Sequence, residues 1–209
     1  ILRNLFINSK FSKSQIYELN ACLDFFEKEF FSLDIRTKNI LISEITRITN
    51  TFISDYDVMS TFCSPKSKLT FNTFDTVLES GKIVVLNINI SEYNMLSKII
   101  ATYLKLDFQT EIMTRLSKNI SKTSAFICDE YDKFASKTDG EFFSLSREAK
   151  CINIVSTQSY SSLKSTLKDD SSVKVIIQNL INKIWFRTDD SFTIEDAQKQ
   201  LGKEEKEKI

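Results

Sequence analysis

The 209-residue chain is long enough for one large domain, or for a medium domain with an appendage, and at 42% hydrophobic and 27% charged residues it is not a disordered polymer. Its 28 basic and 28 acidic residues cancel, so net charge gives no argument for a nucleic-acid partner; such binding would need a local patch or a ring of subunits. With no histidine at all, Ser-His-Asp catalysis, Cys-His catalysis and His-ligated metals are excluded within this chain, leaving carboxylates, Lys, Tyr and Cys to move protons.

From Ser14 to Phe31 the apolar positions Ile16, Leu19, Leu23, Phe26 and Phe30 recur at helical spacing, with Ser14 as N-cap. Phe25, Phe26, Phe30 and Phe31 are expected to pack a core, not to stack bases. A second helix is expected from about Arg36 to Phe62, with Leu41, Ile45, Ile48 and Phe52 on one face and Pro65, the single proline, closing it. The first 66 residues therefore read as an all-helical segment.

After Pro65 the pattern changes. Thr73 to Ser80 reads as a short helix ending at Gly81, suited to a left-handed C′ position. Lys82 to Ile90 reads as a strand, and Ser91 as the cap of a long amphipathic helix over Glu92 to Leu116. A strand over Ser124 to Cys128, a helix from about Glu141 to Ala149 and a strand in Cys151 to Thr157 come next. A helical pair over Ser161 to Leu180, a strand at Asn182 to Arg187 and a last helix from Ser191 to Leu201 complete the pattern. Strands alternating with helices at this spacing predict an α/β fold, a mostly parallel sheet with helices on both faces. Residues 203–209, within the charged tail from Gly202 to Ile209, are expected to be solvated or truncated.

Cys22, Cys63, Cys128 and Cys151 stand singly, which fits a reducing cytosol better than a disulfide framework. No stretch approaches the roughly 20 apolar residues that span a bilayer, and no signal-peptide pattern is read. The start at Ile1, running straight into Leu2 and Phe6, reads as a piece of a longer protein.

The chemistry is concentrated in Ser124-Ala-Phe-Ile-Cys-Asp-Glu130. A buried strand ends in two adjacent acids, where open α/β sheets bind their ligands. One acid can hold Mg²⁺ beside a nucleotide phosphate and the other can orient or deprotonate a water, the Walker B arrangement. A strand that surfaces into an acidic loop looks the same. The next strand ends in Ser156-Thr157-Gln158-Ser159, which puts Gln158 at a neighbouring strand tip, able to hydrogen-bond a terminal phosphate or its attacking water. Arg147, near the end of the intervening helix, and Arg187, at the end of the fourth strand, are candidate arginine fingers toward an adjacent subunit. Ordinary surface ion pairs, Arg147 with Glu148 or Asp139 and Arg187 with Asp189, are the alternative. No G-x-x-x-x-G-K-[ST] loop is present: Gly81-Lys82 is followed by Ile83, and position 76 is Thr. Without that phosphate cradle the chain alone is not expected to hydrolyse ATP.

Taken in order, Gly81-Lys-Ile-Val-Val-Leu86, Cys128-Asp-Glu-Tyr-Asp-Lys-Phe134, Ser146-Arg-Glu-Ala-Lys150 with the strand to Ser159, and Gln178 through Asp190 resemble the later half of the motor domain of conjugative coupling proteins. These are the TraD/TraG-type ATPases of type IV secretion, related to FtsK-like DNA translocases. The resemblance covers Leu69 to Gly202. It implies a RecA-like P-loop NTPase fold, of which residues 67–209 would be the C-terminal half, and it makes 1–66 the end of an inserted all-helical domain. It further implies ATP and Mg²⁺ as cofactors, a hexameric ring, DNA in the central channel, and relaxosome and secretion-channel proteins as partners. It places the intact protein at the cytoplasmic face of the membrane through an N-terminal anchor.

By the same resemblance Asp129 and Glu130 are the Walker B acids, with Asp129 on the metal, and Gln158 is the strand-end glutamine. Arg147 would be the arginine after the Walker B helix, though Glu148-Ala-Lys150 stands where the family has a more basic, glycine-containing turn. Two other readings stand beside the motor: a non-catalytic docking module for relaxosome or channel partners, and a related DNA-repair or segregation translocase.

Overall fold

The computed structural model describes residues 11–71, 73–118 and 122–202. The expected solvated tail, 203–209, lies outside the described residues. The chain divides into two compact units, 1–66 and 67–209.

In the first unit, α1 spans Lys13–Asp24 and is capped by Ser12, slightly earlier than the sequence suggests. The Ser12 hydroxyl accepts from the Gln15 amide at 3.3 Å, and the Gln15 side chain accepts from the Ser12 amide at 2.9 Å, a reciprocal capping box. The helix continues through a π turn at Phe25–Glu29 and a 3-10 turn at Phe30–Ser32. There Phe25, Phe26, Phe30 and Phe31 pack on one another with edge-to-face contacts, but Phe30 is only half-buried and the other three are exposed, so the expected aromatic core does not form. The single helix expected over Arg36 to Phe62 is two: α2, Ile35–Ile53, and α3, Tyr56–Phe62. Asp55 separates them, because its carboxylate accepts from the Val58 amide at 3.0 Å and starts a new helix there.

The second unit opens with α4, Phe74–Ser80, and Gly81 ends it at φ 66°, the left-handed C-cap that only glycine adopts without strain. The long helix is α5, Asn94–Ser117, entered at Tyr93 with no side-chain cap, so Ser91 does not serve as one. Strands β1, Ser124–Cys128, and β2, Cys151–Val155, pair in parallel with Ser124 opposite Cys151 and Cys128 opposite Val155. Between them lies α6, Asp139–Leu145, shorter than expected, and after them come α7, Tyr160–Leu167, α8, Asp170–Asn179, and α9, Ser191–Leu201.

The core gathers Phe108 and Ile112 of α5, Phe142 and Phe143 of α6, Leu163 and Leu167 of α7, Val173 and Ile176 of α8, and Cys151. Phe126 of β1 stacks on Phe108 at 5.8 Å between ring centroids. Helices α6 and α8 meet at Gly140: a Cβ there would lie 2.9 Å from Val175 Cγ1, and the Asn179 side chain donates to the Gly140 carbonyl at 3.2 Å.

Two expectations about the sheet fail. Lys82 to Ile90 and Asn182 to Arg187 form no strands; Ile83, Val85, Ile184 and Phe186 are 80–90% exposed. Both segments carry β-forming residues, but a strand exists only when its backbone groups find a ladder partner. The sheet is also covered on one face only. Phe126 and Cys151 face the core, whereas Ile127, Ile152 and Ile154 on the other face are exposed. The observed class is thus α/β, mostly helical, with a two-strand parallel sheet.

Candidate functional site at the C-terminal rim of the sheet

Because β1 and β2 run parallel and end in register, Asp129 and Ser156 leave the sheet side by side. The two exits are stitched together by backbone bonds, Ser156 amide to Cys128 carbonyl at 3.0 Å and Tyr131 amide to Ser156 carbonyl at 2.8 Å. Asp129 Oδ1 accepts from the Ser156 hydroxyl and from the Glu130 amide. The Ser156 hydroxyl first, and then that amide, hold the Asp129 carboxyl below its usual range, so it is ionised at neutral pH. Glu130 sits at φ 48°, a left-handed conformation uncommon for a non-glycine residue and a mark of local strain. A 3-10 turn, Tyr131–Lys133, comes next. Asp132 within it is buried and accepts from the Thr157 hydroxyl at 3.1 Å, a second tie between the two loops. Gln158 is exposed on the β2 exit between Thr157 and Ser159, whose hydroxyl caps α7. The acid pair and the polar tip of the next strand therefore share one rim.

Beneath this rim lies a buried polar brace. Lys105 of α5 donates from Nζ to both oxygens of Asp139, at 2.5 and 2.7 Å, and to the Phe134 carbonyl at 2.8 Å. Asp139 also accepts from Gln109 Nε2 at 3.1 Å, the Tyr131 hydroxyl at 2.6 Å and the Ser136 amide at 2.9 Å. Burial alone would push Asp139 up, but the Lys105 ammonium and the Tyr131 hydroxyl hold its carboxyl below the usual range. Burial lowers the Lys105 ammonium from its ordinary value. The Cys128 thiol is pushed up to about 11 by burial, which makes it inert at neutral pH.

The implied Mg²⁺ and ATP fit these residues in part. Asp129 is ionised and exposed, the chemistry of a carboxylate that holds a cation through water. Among the described residues no three His, Cys, Asp or Glu side chains form a direct metal cluster. The sequence supplies no glycine-rich cradle for the phosphates.

Residues 123–208 match the family model described as the TraM recognition site of TraD and TraG. This stretch is thus similar to the C-terminal region of conjugative coupling proteins. No curated protein and no solved structure matches the chain. The matched stretch starts one residue before β1, holds the acid pair and Gln158, and includes both candidate arginines.

Arg147 lies exposed in the turn that leads into β2, at the N-terminal rim of the sheet, so the five-residue length of β2, roughly 16 Å, separates it from the acids' rim. Its alternative partner Asp139 is taken by Lys105. Arg187 is also exposed and, among the described residues, makes no ion pair with Asp189; the neighbouring Asp190 caps α9 by accepting from the Thr193 amide at 2.9 Å.

Several residues at the rim and beneath it escaped the sequence reading: Ser156 and Asp132 with Thr157 at the rim, and the brace of Lys105, Gln109, Tyr131 and Asp139 below it. One signal was available. Lys105 and Gln109 are spaced i, i+4 within the stripe that also carries Phe108 and Ile112, and a lysine inside an apolar stripe demands a buried partner.

Proposed function

We propose that this chain is part of the motor of an ATP-driven, DNA-translocating coupling protein of conjugation or type IV secretion. Residues 1–66 would be the end of an inserted helical domain and 67–209 the C-terminal half of a RecA-like domain. The observation that carries the reading is the shared rim, where the Asp129–Glu130 pair and the Ser156–Gln158 tip leave adjacent parallel strands. Asp129 would hold Mg²⁺ through water, Glu130 would polarise the attacking water, and Gln158 would hydrogen-bond the terminal phosphate. The bound nucleotide would supply the phosphoryl group whose transfer drives movement. Its phosphate cradle would come from a Walker A loop elsewhere in the complete protein, and Arg147 or Arg187 would reach a nucleotide on a neighbouring subunit of a hexameric ring. DNA would pass through that ring, on the cytoplasmic side of a membrane anchor.

Glu130→Gln in the complete protein tests this. Nucleotide binding is expected to persist while ATP turnover falls by about two to four orders of magnitude; unchanged turnover sinks the assignment.

A second reading takes its support from the family model's description together with the bare sheet face of Ile127, Ile152 and Ile154: the region docks a relaxosome protein such as TraM without catalysing anything. Under the motor reading Glu130→Gln slows turnover by that factor and leaves TraM binding intact. Under the docking reading no Glu130-dependent turnover exists.

A further inference from the structure

The rim's acids are held from below by groups that nothing in the nucleotide chemistry requires. Tyr131 is the next residue after Glu130 and is fixed at both ends, its amide on the Ser156 carbonyl and its hydroxyl on Asp139, with its ring fully buried. Glu130 itself has no side-chain capping bond, so the strained left-handed turn it occupies is held by Tyr131 and the residues beyond it. Asp139 in turn receives donors from α5, from Tyr131 and from Ser136, more than its position at the start of α6 demands. Lys105 reaches past Asp139 to the Phe134 carbonyl and the Ser136 hydroxyl, closing the far end of the same turn.

A buried ion pair contributes little net stability, since an apolar pair of similar size often serves as well. What it contributes is direction: a fixed ammonium with four oriented acceptors defines where the turn must lie.

We propose that Lys105 and Gln109 of α5, acting through Asp139 and Tyr131, are positioning residues for the Asp129–Glu130 turn, so that the placement of α5 governs how Glu130 is presented at the rim. The proposal rests on the motor reading for its link to turnover, but the link from α5 to the turn stands apart from it. Helix α5 has 24 residues, about 36 Å of rigid lever. A displacement of Lys105 along its axis would be passed to Glu130 through the Asp139 carboxylate, the Tyr131 hydroxyl and the peptide that joins Tyr131 to Glu130.

Two variants of the complete protein test this. Tyr131→Phe keeps the ring in the core and removes one hydroxyl bond. The double variant Lys105→Met with Asp139→Leu leaves neither charge unpaired, which guards against simple unfolding. Nucleotide affinity, ATP turnover and amide hydrogen exchange are measured for both, comparing residues 129–134 with α9.

In both variants exchange at 129–134 is expected to accelerate at least about tenfold while α9 is unchanged, and kcat to fall about tenfold or more with nucleotide affinity within about twofold. Equal acceleration in α9 would reduce the brace to a general support and overturn the proposal. So would an unchanged turn, or a loosened turn with wild-type kcat. If the wild-type protein shows no Glu130-dependent turnover, the motor reading has failed, and the exchange comparison alone then decides whether α5 holds the turn.

Discussion

The two units of this molecule reach helical order by different routes. In the first, α1, α2 and α3 each begin at a side-chain cap, Ser12, Asp34 and Asp55, yet among the described residues only Val58 is buried. In α2 the expected stripe of Leu41, Ile45 and Ile48 is present and exposed. In the second, α5 and α6 start with no side-chain cap bond but share a continuous core with α7 and α8. Caps and periodicity fix where a helix starts and which face is apolar. They do not supply the surface that buries that face, which comes only from residues distant in sequence.

The sharpest way to break the comparison is to remove support on which only the second unit depends. Asp139→Ala strands the Lys105 ammonium in the core and is expected to destabilise this unit by about 3–5 kcal/mol. Ile176→Ala, at a fully buried position of α8, is expected to cost about 2–5 kcal/mol. Urea unfolding followed through Trp185, the only tryptophan and a member of this unit, reads both. Ile45→Ala in α2, removing a side chain of the same size from an exposed face, is expected to change stability by less than about 0.5 kcal/mol, read by circular dichroism. A cost for Ile45→Ala near that of Ile176→Ala would mean that the α2 face is covered in solution and that the contrast between the units is false.

The sequence was informative where structure is local. The expected bounds of β1 and of α9 coincide with those observed, and Gly81 ends α4 in the left-handed conformation that its residue type invites. The rim was legible for a related reason: strands joined through a helix run parallel, so Asp129, Glu130 and Gln158 had to leave the sheet on the same side. What depends on distant partners was not legible. Lys82 to Ile90 has the composition of a strand, and whether it becomes one is decided by a neighbour that its own residues do not encode. Ser156 on Asp129 and Lys105 on Asp139 lie 27 and 34 residues apart, and only the folded turn brings them together. The break between α2 and α3 was encoded locally, in Asp55 followed by Val58, but a continuous apolar period masked it.

Acid offers the gentlest probe of the same contrast, because both units carry helices capped by an aspartate. Asp169 caps α8, accepting from the Ser171 amide and hydroxyl and from the Ser172 hydroxyl at 2.6 Å, and these bonds, Ser172 first, lower its carboxyl to about 2. Asp34 caps α2, where the Thr37 hydroxyl and amide also hold it below its usual range. Both carboxyls are depressed in the fold relative to roughly 3.9 in the unfolded chain, so each cap's contribution is present above that value and is lost as pH falls through the folded one. The helices should respond unequally. With its cap protonated, α8 is still held by Val173 and Ile176 in the core, whereas α2 has no buried side chain to retain it. Amide chemical shifts of Thr37 and Ser171, followed from about pH 5 down to about pH 1, are expected to show α2 fraying at its N-terminus while α8 keeps its helical shifts. Loss of helix at Ser171 together with Thr37 would show that the α8 cap, and not its burial, had been holding that helix in place.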